Sequence, residues 1–301
     1  MPATEIAGSF ELRADASTAA SRLRWRLNRL RCMTPAEIRH RAMRMLAIHA
    51  ERAGVLGSAR VPAPRIGSPA DAWMGCAPNV DPEPYLAAAD RIRAGRLDIF
   101  ALRDFDAGSP PRWNRDPKTG IEAPLRFGKL LDYRNPATVG DIKYLWEPNR
   151  HLHFVTLAQA YALSRDPKYF DTLGEHLESW IAACPYLKGA NWSSALEAAI
   201  RLINWSLAWR LLGGAASPLF ASARGAWVRD RWLHSAFQHA QYVRGFFSLY
   251  SSANNHLVGE AAGVWIAGLT WPYWPQARAW CREAKAILER EALLQNAADG
   301  V

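Results

Sequence analysis

Residues 194–214, SALEAAIRLINWSLAWRLLGG, set the architecture expected of this chain. Apolar side chains recur in this stretch at spacings of three and four residues, which is the period of an amphipathic α-helix. Paired glycines end the pattern, because glycine commonly terminates a helix. The stretch therefore predicts a helix over residues 194–212 with one face in a core. The apolar stripe consists of Leu196, Ile200, Ile203, Leu207 and Leu211.

Similar helical segments succeed one another from Leu145 onward, and no clear strand alternation interrupts them. Consecutive helices joined by short loops form antiparallel hairpins. Several hairpins in series build a solenoid or an α/α toroid whose loops gather at one end. We therefore expect an all-α fold in which motifs distant in sequence meet at one rim. The predicted helices cover residues 149–164, 167–183, 194–212, 217–247, 256–269 and 275–295.

The N-terminal part of the chain has a different character. Residues 21–54 are basic and carry leucines at helical spacing, which predicts one or two helices, and Thr34-Pro35 is typical of an N-cap followed by proline at the first helical position. Residues 57–83 and 104–140 are rich in Pro, Gly and Asp, so we expect ordered loops there. We predict a basic segment and linker over residues 1–70 and a helical domain over residues 71–301.

Composition narrows the possible partners. The chain has 301 residues, of which 50% are hydrophobic, so it can bury a substantial core. Lys and Arg outnumber Asp and Glu by 37 to 28, and the net charge of +9 favours an acidic partner such as a nucleic acid, an anionic polysaccharide or a membrane surface. The four cysteines are widely spaced without a CxxC pair, which indicates neither a zinc ribbon nor a disulfide framework.

Targeting and cofactor signals are weak in this sequence. No apolar run has the length of a membrane span, and the first twenty residues contain acidic side chains in place of a signal-peptide core. We expect no transmembrane segment, no metal and no cofactor. Neither the compartment nor the oligomeric state is predicted from these residues.

The most informative stretch for function is SSANNH, residues 251–256, which places Asn254, Asn255 and His256 at the start of an apolar helix. A helix N-terminus carries unpaired N–H groups and about half a positive charge, so a carboxylate docked there would meet donors from side chains and backbone together. The alternative is structural, because asparagine is a preferred N-cap and either Asn254 or Asn255 could serve only that purpose.

A second polar cluster opens the helix over residues 194–212. Glu197 and Arg201 lie off the apolar stripe and could face a ligand, together with Trp192 just before the helix. Structural alternatives exist here too: Ser194 and Glu197 match a capping box, and Glu197 and Arg201 have the favoured i,i+4 ion-pair order. Trp192 could belong to the core, or it could be one of a few among fourteen tryptophans that stack on sugar rings.

A third cluster is DIKYLWEPNRHLH, residues 141–153. Arg150 could hold a carboxylate or sulfate with its planar fork, with an internal salt bridge to Glu147 as the alternative. A metal site at His151 and His153 is disfavoured, because residues two apart face different sides of a helix and no third ligand is evident.

Three motifs together carry a family resemblance. Residues 146–151 (WEPNRH), 191–201 (NWSSALEAAIR) and 252–260 (SANNHLVGE) strongly resemble the helical half of heparinase II/III-like polysaccharide lyases. Residues 29–35 (RLRCMTP) resemble the opening helix of that group. The resemblance implies an all-α chain: an incomplete α/α toroid of antiparallel helix hairpins with a loop-rich N-terminal segment.

The resemblance also implies a reaction, the β-elimination of a uronic-acid-containing polysaccharide. Removal of the C5 proton creates an unstable enolate-like dianion, so the adjacent carboxylate must be neutralised by donors. Asn255 and His256 match the family's neutralising pair. The other motif residues are expected to bind the acidic polysaccharide. They are Asn254, Trp146, Glu147, Arg150, His151, Trp192, Glu197 and Arg201.

The sequence departs from the family pattern at its C-terminal end. In relatives, a catalytic tyrosine follows an Asp-Gly turn like Asp299-Gly300, and a further histidine and a β-sandwich domain come later. This chain stops at Val301, so we expect it to be part of a longer protein. If no further residues exist, Tyr250 beside the Asn255 loop is the first candidate for the acid and base.

Alternative functions remain open. The chain could be a binding module or inactive relative that holds an anionic polysaccharide without cleaving it. It could also be a hydrolase that uses Glu147 and Glu197 as acid and base. Nucleic-acid binding through residues 21–44 lacks a known fold signature, so we expect no nucleic-acid partner. The resemblance suggests the bacterial periplasm or cell envelope, whereas no export signal is visible.

Overall fold

The computed structural model describes residues 31–55, 60–67 and 79–296, together with Arg24, Asn28 and Met74. The chain divides into two compact units, Met1–His49 and Ala50–Val301. Helix α1 runs over Pro35–Arg52, and the hydroxyl of Thr34 accepts a hydrogen bond from the backbone N–H of Glu37 at 3.2 Å. The predicted N-cap at Thr34-Pro35 is thus confirmed. Most of residues 21–30 and the turn at Asp299-Gly300 lie outside the described residues.

The described part of the larger unit includes a helix and a hairpin that the sequence patterns did not predict. Helix α2, Glu83–Arg93, leads into the antiparallel strands β1, Arg96–Ile99, and β2, Leu102–Asp106. Leu97 pairs with Phe105 and Ile99 pairs with Leu102, with a register irregularity between the two pairs. Strands of four and five residues are too short for apolar alternation to stand out from the surrounding loop residues.

A series of helices makes up the rest of the described unit. Four of the six predicted helices are found within two residues of their predicted bounds, whereas Pro136–Val139 and Ile142–Asn149 were not predicted as helices. The helices are α3 (Pro136–Val139), α4 (Ile142–Asn149), α5 (Leu152–Ser164), α6 (Lys168–Ala183), α7 (Ala195–Leu211), α8 (Ala223–Gly245), α9 (Asn255–Thr270) and α10 (Ala277–Leu294). Short 3₁₀ turns lie between some of them, at Gly128–Leu130, Ala190–Trp192, Gly214–Ala216, Pro218–Ala221 and Tyr250–Ser252.

Two predicted helices have different boundaries in the structure. The helix predicted over residues 149–164 is broken, because His151 adopts a left-handed conformation with φ 61° and separates α4 from α5. The helix predicted over residues 217–247 begins only at Ala223, where the hydroxyl of Ser222 accepts a hydrogen bond from the N–H of Gly225 at 3.0 Å. Both breaks depend on backbone geometry that apolar spacing does not report.

Helices α7 and α9 run parallel and pack closely. A Cβ added at Gly259 of α9 would lie 2.7 Å from Leu196 of α7, and one added at Gly263 would lie 2.7 Å from the carbonyl oxygen of Ala199. The contacts therefore advance along both helices in the same direction. At Gly263 the neighbour is the backbone of Ala199, so a larger residue would overlap α7, whereas at Gly259 the end of the Leu196 side chain would have to shift.

The directions of the other helices alternate along the chain. Arg150, just before α5, pairs with Glu197 near the start of α7, while the C-terminal ends of α5 and α7 line a common groove through Arg165 and Gly213. Helix α8 runs the opposite way, because His239 near its end contacts Arg201 near the start of α7. The described residues therefore form successive antiparallel hairpins, with α5, α7 and α9 parallel to one another, as expected of an incomplete α/α toroid.

Tryptophan supplies much of the core between these helices. Several indole rings are less than 2% exposed and pack edge to face or tilted against one another, an arrangement that aromatic quadrupoles favour. For these side chains the structure confirms a position in the core and not the alternative of stacking on a sugar ring. They are Trp180, Trp192, Trp205, Trp209, Trp232, Trp271 and Trp280.

A membrane-spanning helix was not expected from the sequence. Among the described residues, none of the helices combines the length and apolarity needed to cross a bilayer.

Candidate functional site

The three sequence motifs gather at one end of the helical unit. Since α5, α7 and α9 are parallel, their N-termini lie at the same end, and each motif leads into one of these helices. Residues 146–151 precede α5, residues 191–197 include the start of α7, and residues 248–256 include the start of α9. We call these three segments together the rim. The helix alternation thus brings distant motifs together, as predicted.

Asn254 is the N-cap of α9. Its backbone is extended, and its Oδ1 accepts a hydrogen bond from the N–H of His256 at 2.8 Å. Capping therefore accounts for Asn254 and not for Asn255. Asn255 and His256 form the start of the first turn, and both side chains are exposed. They lie at the positive end of the helix dipole, where a carboxylate is stabilised.

The loop in front of α9 is fixed by Glu260. This carboxylate is 1% exposed and accepts hydrogen bonds from the N–H of Ser248 at 2.6 Å and from its hydroxyl at 2.8 Å. Hydrogen bonds to an ionised group are stronger than neutral ones. Glu260 therefore ties the loop to the second turn of α9 and restrains the approach to Asn254. Tyr250, 45% exposed, lies in the same loop.

Arg150 is occupied by two carboxylates of the protein itself. Its Nε and Nη2 donate to Glu197 at 2.8 and 3.0 Å, and its Nη1 donates to Glu147 at 2.9 Å. The hydrogen bonds to Glu197 raise the pKa of the guanidinium against the opposing effect of burial, and the negative charges of Glu197 and Glu147 raise it further. The predicted alternative of an internal salt bridge between Arg150 and Glu147 is confirmed. The Arg150 guanidinium is therefore not an open binding site for a substrate anion.

Glu197 also differs from its predicted structural role. The Ser194 side chain makes no capping hydrogen bond, so the predicted capping box is wrong. The Glu197 carboxylate is buried and forms its ion pair with Arg150, not with Arg201. The physical reason is that the loop before α5 approaches the first turn of α7, a contact between segments far apart in sequence. Glu197 thereby links two of the three rim segments.

Arg201 is a fully buried cation at the base of the rim. It donates to the carbonyl oxygens of Asn191 at 2.7 Å and Asn149 at 3.4 Å, and its Nε donates to His239 at 2.9 Å. Its guanidinium also lies over the rings of Trp180 and Trp192. Burial lowers its pKa to about 10, so it stays cationic at neutral pH. Arg201 therefore joins the loops before α5 and α7 and offers no surface to a polysaccharide.

The remaining predicted residues divide by burial. His151 is 0% exposed, and its Nδ1 accepts a hydrogen bond from the Trp205 indole at 2.9 Å. Trp192 is 1% exposed and donates its indole N–H to the carbonyl of Cys184. Trp146 is half-buried, and its indole donates to the carbonyl of Ala190 at 3.1 Å. In this structure His151 and Trp192, like Arg201 and Glu197, support the rim from inside, which corrects the expectation that they touch substrate.

A basic residue that the motifs did not single out also lies at the rim. Lys129 donates to the carbonyl of Ser193 at 3.1 Å, and its ammonium lies 4.6 Å from the ring centroid of Phe246, just ahead of the Ser248 loop. It therefore connects the segments before α7 and α9. No spacing rule could have found it, because Lys129 belongs to a short 3₁₀ turn in a region predicted only as loop.

Comparison with known proteins identifies the family. An incomplete α/α toroid with amide and imidazole side chains at its rim is consistent with the class of helical domains found in polysaccharide lyases. Residues 103–301 match the family described as Heparinase II/III N-terminus. The match spans more than half of the chain, so the chain belongs to the heparinase II/III family. The resemblance inferred from the three motifs is thereby confirmed.

Individual relatives are distant and longer. A heparin-sulfate lyase from Bacteroides stercoris is 26% identical over 199 residues, which cover 60% of this chain and 29% of that protein. The chain thus spans less than a third of this curated relative. Among solved structures, heparan sulfate lyase HepC from Pedobacter heparinus has a TM-score of 0.56 at 20% identity, covering 85% of this chain and 35% of that one.

A crystal structure of heparinase III gives a similar result, with a TM-score of 0.54 at 20% identity, covering 74% of this chain and 32% of that one. At such identities the similarity shows the fold alone. The predicted all-α fold of antiparallel hairpins, an incomplete α/α toroid, is confirmed.

Proposed function

We propose that this chain is the helical portion of a lyase that cleaves a uronic-acid-containing acidic polysaccharide by β-elimination, with Asn255 and His256 neutralising the uronate carboxylate. The observation that carries the proposal is the exposure of both side chains in the first turn of α9, directly after the cap made by Asn254. Because the Asn254 side chain caps the helix, the Asn255 amide is not needed for capping.

The chemistry requires donors at this position. Loss of the C5 proton places a second negative charge next to the carboxylate, and pre-positioned donors stabilise that charge better than water does. The Asn255 amide and the His256 imidazole can each donate, and the first-turn N–H groups of α9 add their dipole. The group that removes the proton is not assigned, although Tyr250 in the adjoining loop remains a candidate within the described residues.

The other rim residues have roles that follow from their contacts. Trp146 and Glu147 are half-buried, so their exposed parts keep their proposed contact with substrate. Arg150, Glu197 and Arg201 position the loops through the ion pair and the carbonyl contacts described above. The excess of basic residues and the lyase activity named for the relative both support an acidic polysaccharide as the substrate class.

Hydrolysis by Glu147 and Glu197 is disfavoured by their contacts. A glycosidase general acid must carry a proton at the start of the reaction. Both carboxylates instead accept charge-assisted hydrogen bonds from Arg150, and Glu197 is only 2% exposed. Neither side chain is therefore placed to protonate a leaving group.

The test uses the whole protein that carries this chain. It is incubated with a panel of uronic-acid polysaccharides, and unsaturated uronate is followed by its ultraviolet absorbance. Asn255→Ala is expected to lower the rate about 100-fold or more, the usual cost of removing one donor to a developing anion. Gln276→Ala is the matched control. Gln276 is an exposed amide just before α10, so it lies near the C-terminal end of α9, whereas Asn255 lies at the N-terminal end.

Two outcomes would contradict the proposal. Wild-type rates in Asn255→Ala would remove the assigned role of the amide, and saturated products would indicate hydrolysis. Tight binding of polysaccharide without any product would favour the alternative, a non-catalytic binding module.

A further inference from the structure

One exposed face of α8 carries an aromatic side chain between two arginines. Arg224, Trp227 and Arg231 follow one another at spacings of three and four residues, so they share one face of the helix. All three are exposed, and Trp227 is 41% accessible although most large apolar side chains of this unit are buried. An exposed indole of this kind marks a candidate binding surface.

The indole orders both arginines. The Cζ atom of Arg224 lies 5.4 Å from the Trp227 ring centroid, and the Cζ atom of Arg231 lies 5.0 Å from it. Stacking on an aromatic ring restricts a flexible guanidinium while leaving its N–H edges free to bind anions. Less entropy is then lost when an anion binds. Arg224 pairs with Glu178, whereas Arg231 forms no ion pair with any described residue.

A cavity of about 540 Å³ adjoins this face, between α8 and the C-terminal half of α6. Its lining residues are Trp227 and Arg231 of α8 together with Ile181, Ala182 and Ser179 of α6, and the Ser179 hydroxyl also accepts a hydrogen bond from the Trp113 indole at 3.0 Å. A sugar unit presents an apolar C–H face, hydroxyl groups and, in an acidic polysaccharide, a carboxylate or sulfate. Each of these groups has a chemical counterpart in the lining, although the Glu178 carboxylate also borders the cavity.

The α8 side of this surface lies outside the three rim segments, whereas its α6 side flanks Trp180, which packs against Arg201 at the base of the rim. Helix α8 runs antiparallel to α7, and Trp232 packs against Trp209 near the C-terminal end of α7. Residues 224–231 therefore lie towards the end of the helices opposite to Asn255. A ligand held at Trp227 would not occupy the proposed cleavage site.

We propose that Arg224, Trp227 and Arg231 form a second binding site for acidic sugar units of a polysaccharide, separate from the rim. The choice of an acidic polysaccharide rests on the proposed function. Occupation of both sites by one long chain raises the effective concentration of the second contact and so increases the overall affinity. The site therefore favours long substrates over short ones.

The test compares the two most exposed tryptophans of the described residues. Trp227→Ala removes the stacking ring, and Trp265→Ala is the matched control, since Trp265 is 37% exposed on α9. Binding of the whole protein to heparin, with uncharged dextran as the reference, is measured by affinity electrophoresis. We expect Trp227→Ala to weaken retention by heparin about tenfold, which is part of the affinity that two linked contacts usually gain over one. Trp265→Ala should leave retention unchanged.

A second variant tests whether weaker retention could come from a folding defect. Arg231→Gln keeps the ring and removes the cation that has no ion pair, and it should also weaken heparin retention while thermal unfolding stays as in the wild type. Wild-type retention in both Trp227→Ala and Arg231→Gln would overturn the proposal. Equal losses in Trp227→Ala and Trp265→Ala would also overturn it, because the effect would then not be local.

A kinetic comparison separates this inference from the proposed function. For the active protein, Trp227→Ala should raise KM for long chains and leave the rate on short oligosaccharides unchanged, whereas Asn255→Ala should lower the rate on both. If the protein binds heparin through Trp227 and cleaves nothing, the lyase proposal fails while the second site stands.

Discussion

Asn254 and Asn255 are adjacent in sequence and differ in what they contact. The side chain of Asn254 closes the N-terminus of α9 through the N–H of His256. The side chain of Asn255 begins the first turn and is exposed. A structural function and a proposed binding function are thus separated onto neighbouring residues, so single substitutions can distinguish them.

Substitution of the cap should affect stability. Asn254→Ala is expected to lower the free energy of unfolding by about 1 kcal/mol, because one first-turn N–H loses its side-chain acceptor. In a unit of this size that corresponds to a fall in Tm of roughly 2–4 °C, which calorimetry or circular dichroism would detect. Asn255→Ala is the matched control and should change Tm little. A larger fall in Asn255→Ala than in Asn254→Ala would contradict the assignment of the cap.

Local pairings at the residue scale could be predicted from the sequence. The Asn cap and the salt bridge between Glu147 and Arg150 both involve residues within one helical turn, where spacing dictates proximity. The pairing of Arg150 with Glu197 could not be predicted, because it exists only once α5 and α7 are packed side by side. For the same reason no sequence pattern pointed to Lys129.

At the scale of elements, the packing of α7 against α9 depends on residues without side chains. Gly263 faces the backbone of Ala199, where even one methyl group would overlap the carbonyl oxygen. Helix interiors usually disfavour glycine, so its presence in the middle of α9 reflects this close contact. The contact also sets the distance between the second and third rim segments.

The close contact predicts opposite effects at two glycines. Gly263→Ala should lower the free energy of unfolding by about 1–3 kcal/mol, the usual cost of overpacking. Gly245→Ala, at the end of α8, is the control, because an added Cβ there would have no atom within 4 Å. It should be neutral or stabilise by up to about 1 kcal/mol, since alanine is the better helix former. Chemical denaturation would measure both, and equal destabilisation would contradict the packing.

Elements with a strong period were predicted well, and those without one were missed. The helices α6, α7, α9 and α10 begin and end within two residues of their predicted bounds, because each carries a regular apolar face ended by glycine, proline or asparagine. The hairpin of β1 and β2 and the break at His151 carry no such period. His151, at this break, makes tertiary contacts with Trp205 and Trp180 that no sequence pattern reports.

At the scale of the whole unit, a group of histidines is buried in the neutral form. Burial, with a smaller effect of neighbouring charges, lowers the pKa of His151, His153 and His239 well below the usual value. Burial alone lowers the pKa of His176 to about 4. Each of these side chains gains a proton more easily in the unfolded chain than in the native one.

Stability should therefore fall in mild acid. Below the ordinary histidine pKa of about 6.5 the unfolded chain binds protons that the native protein does not, so the native state loses up to roughly 1.4 kcal/mol per histidine for each pH unit. For His176 this loss continues down to about pH 4. Thermal unfolding between pH 7 and pH 5 should show a steep fall in Tm.

His176→Gln should make that fall shallower, because one of the buried bases is removed. The exposed His49 supplies the control, and His49→Gln should leave the slope unchanged. A Tm that does not vary between pH 7 and pH 5 would show that these histidines are accessible to protons in the native protein.

The parallel course of α5, α7 and α9 has an electrostatic consequence. Each helix contributes about half a positive charge at its N-terminus, and all three N-termini lie at the rim. The backbone therefore adds a positive contribution to the local potential, which combines with the charges of the rim carboxylates and of their basic partners. Such a contribution attracts a polyanion before contact, over a range of roughly 10 Å at 0.1 M salt. The capture of an anionic chain would then depend on ionic strength as well as on the residues that later hold it.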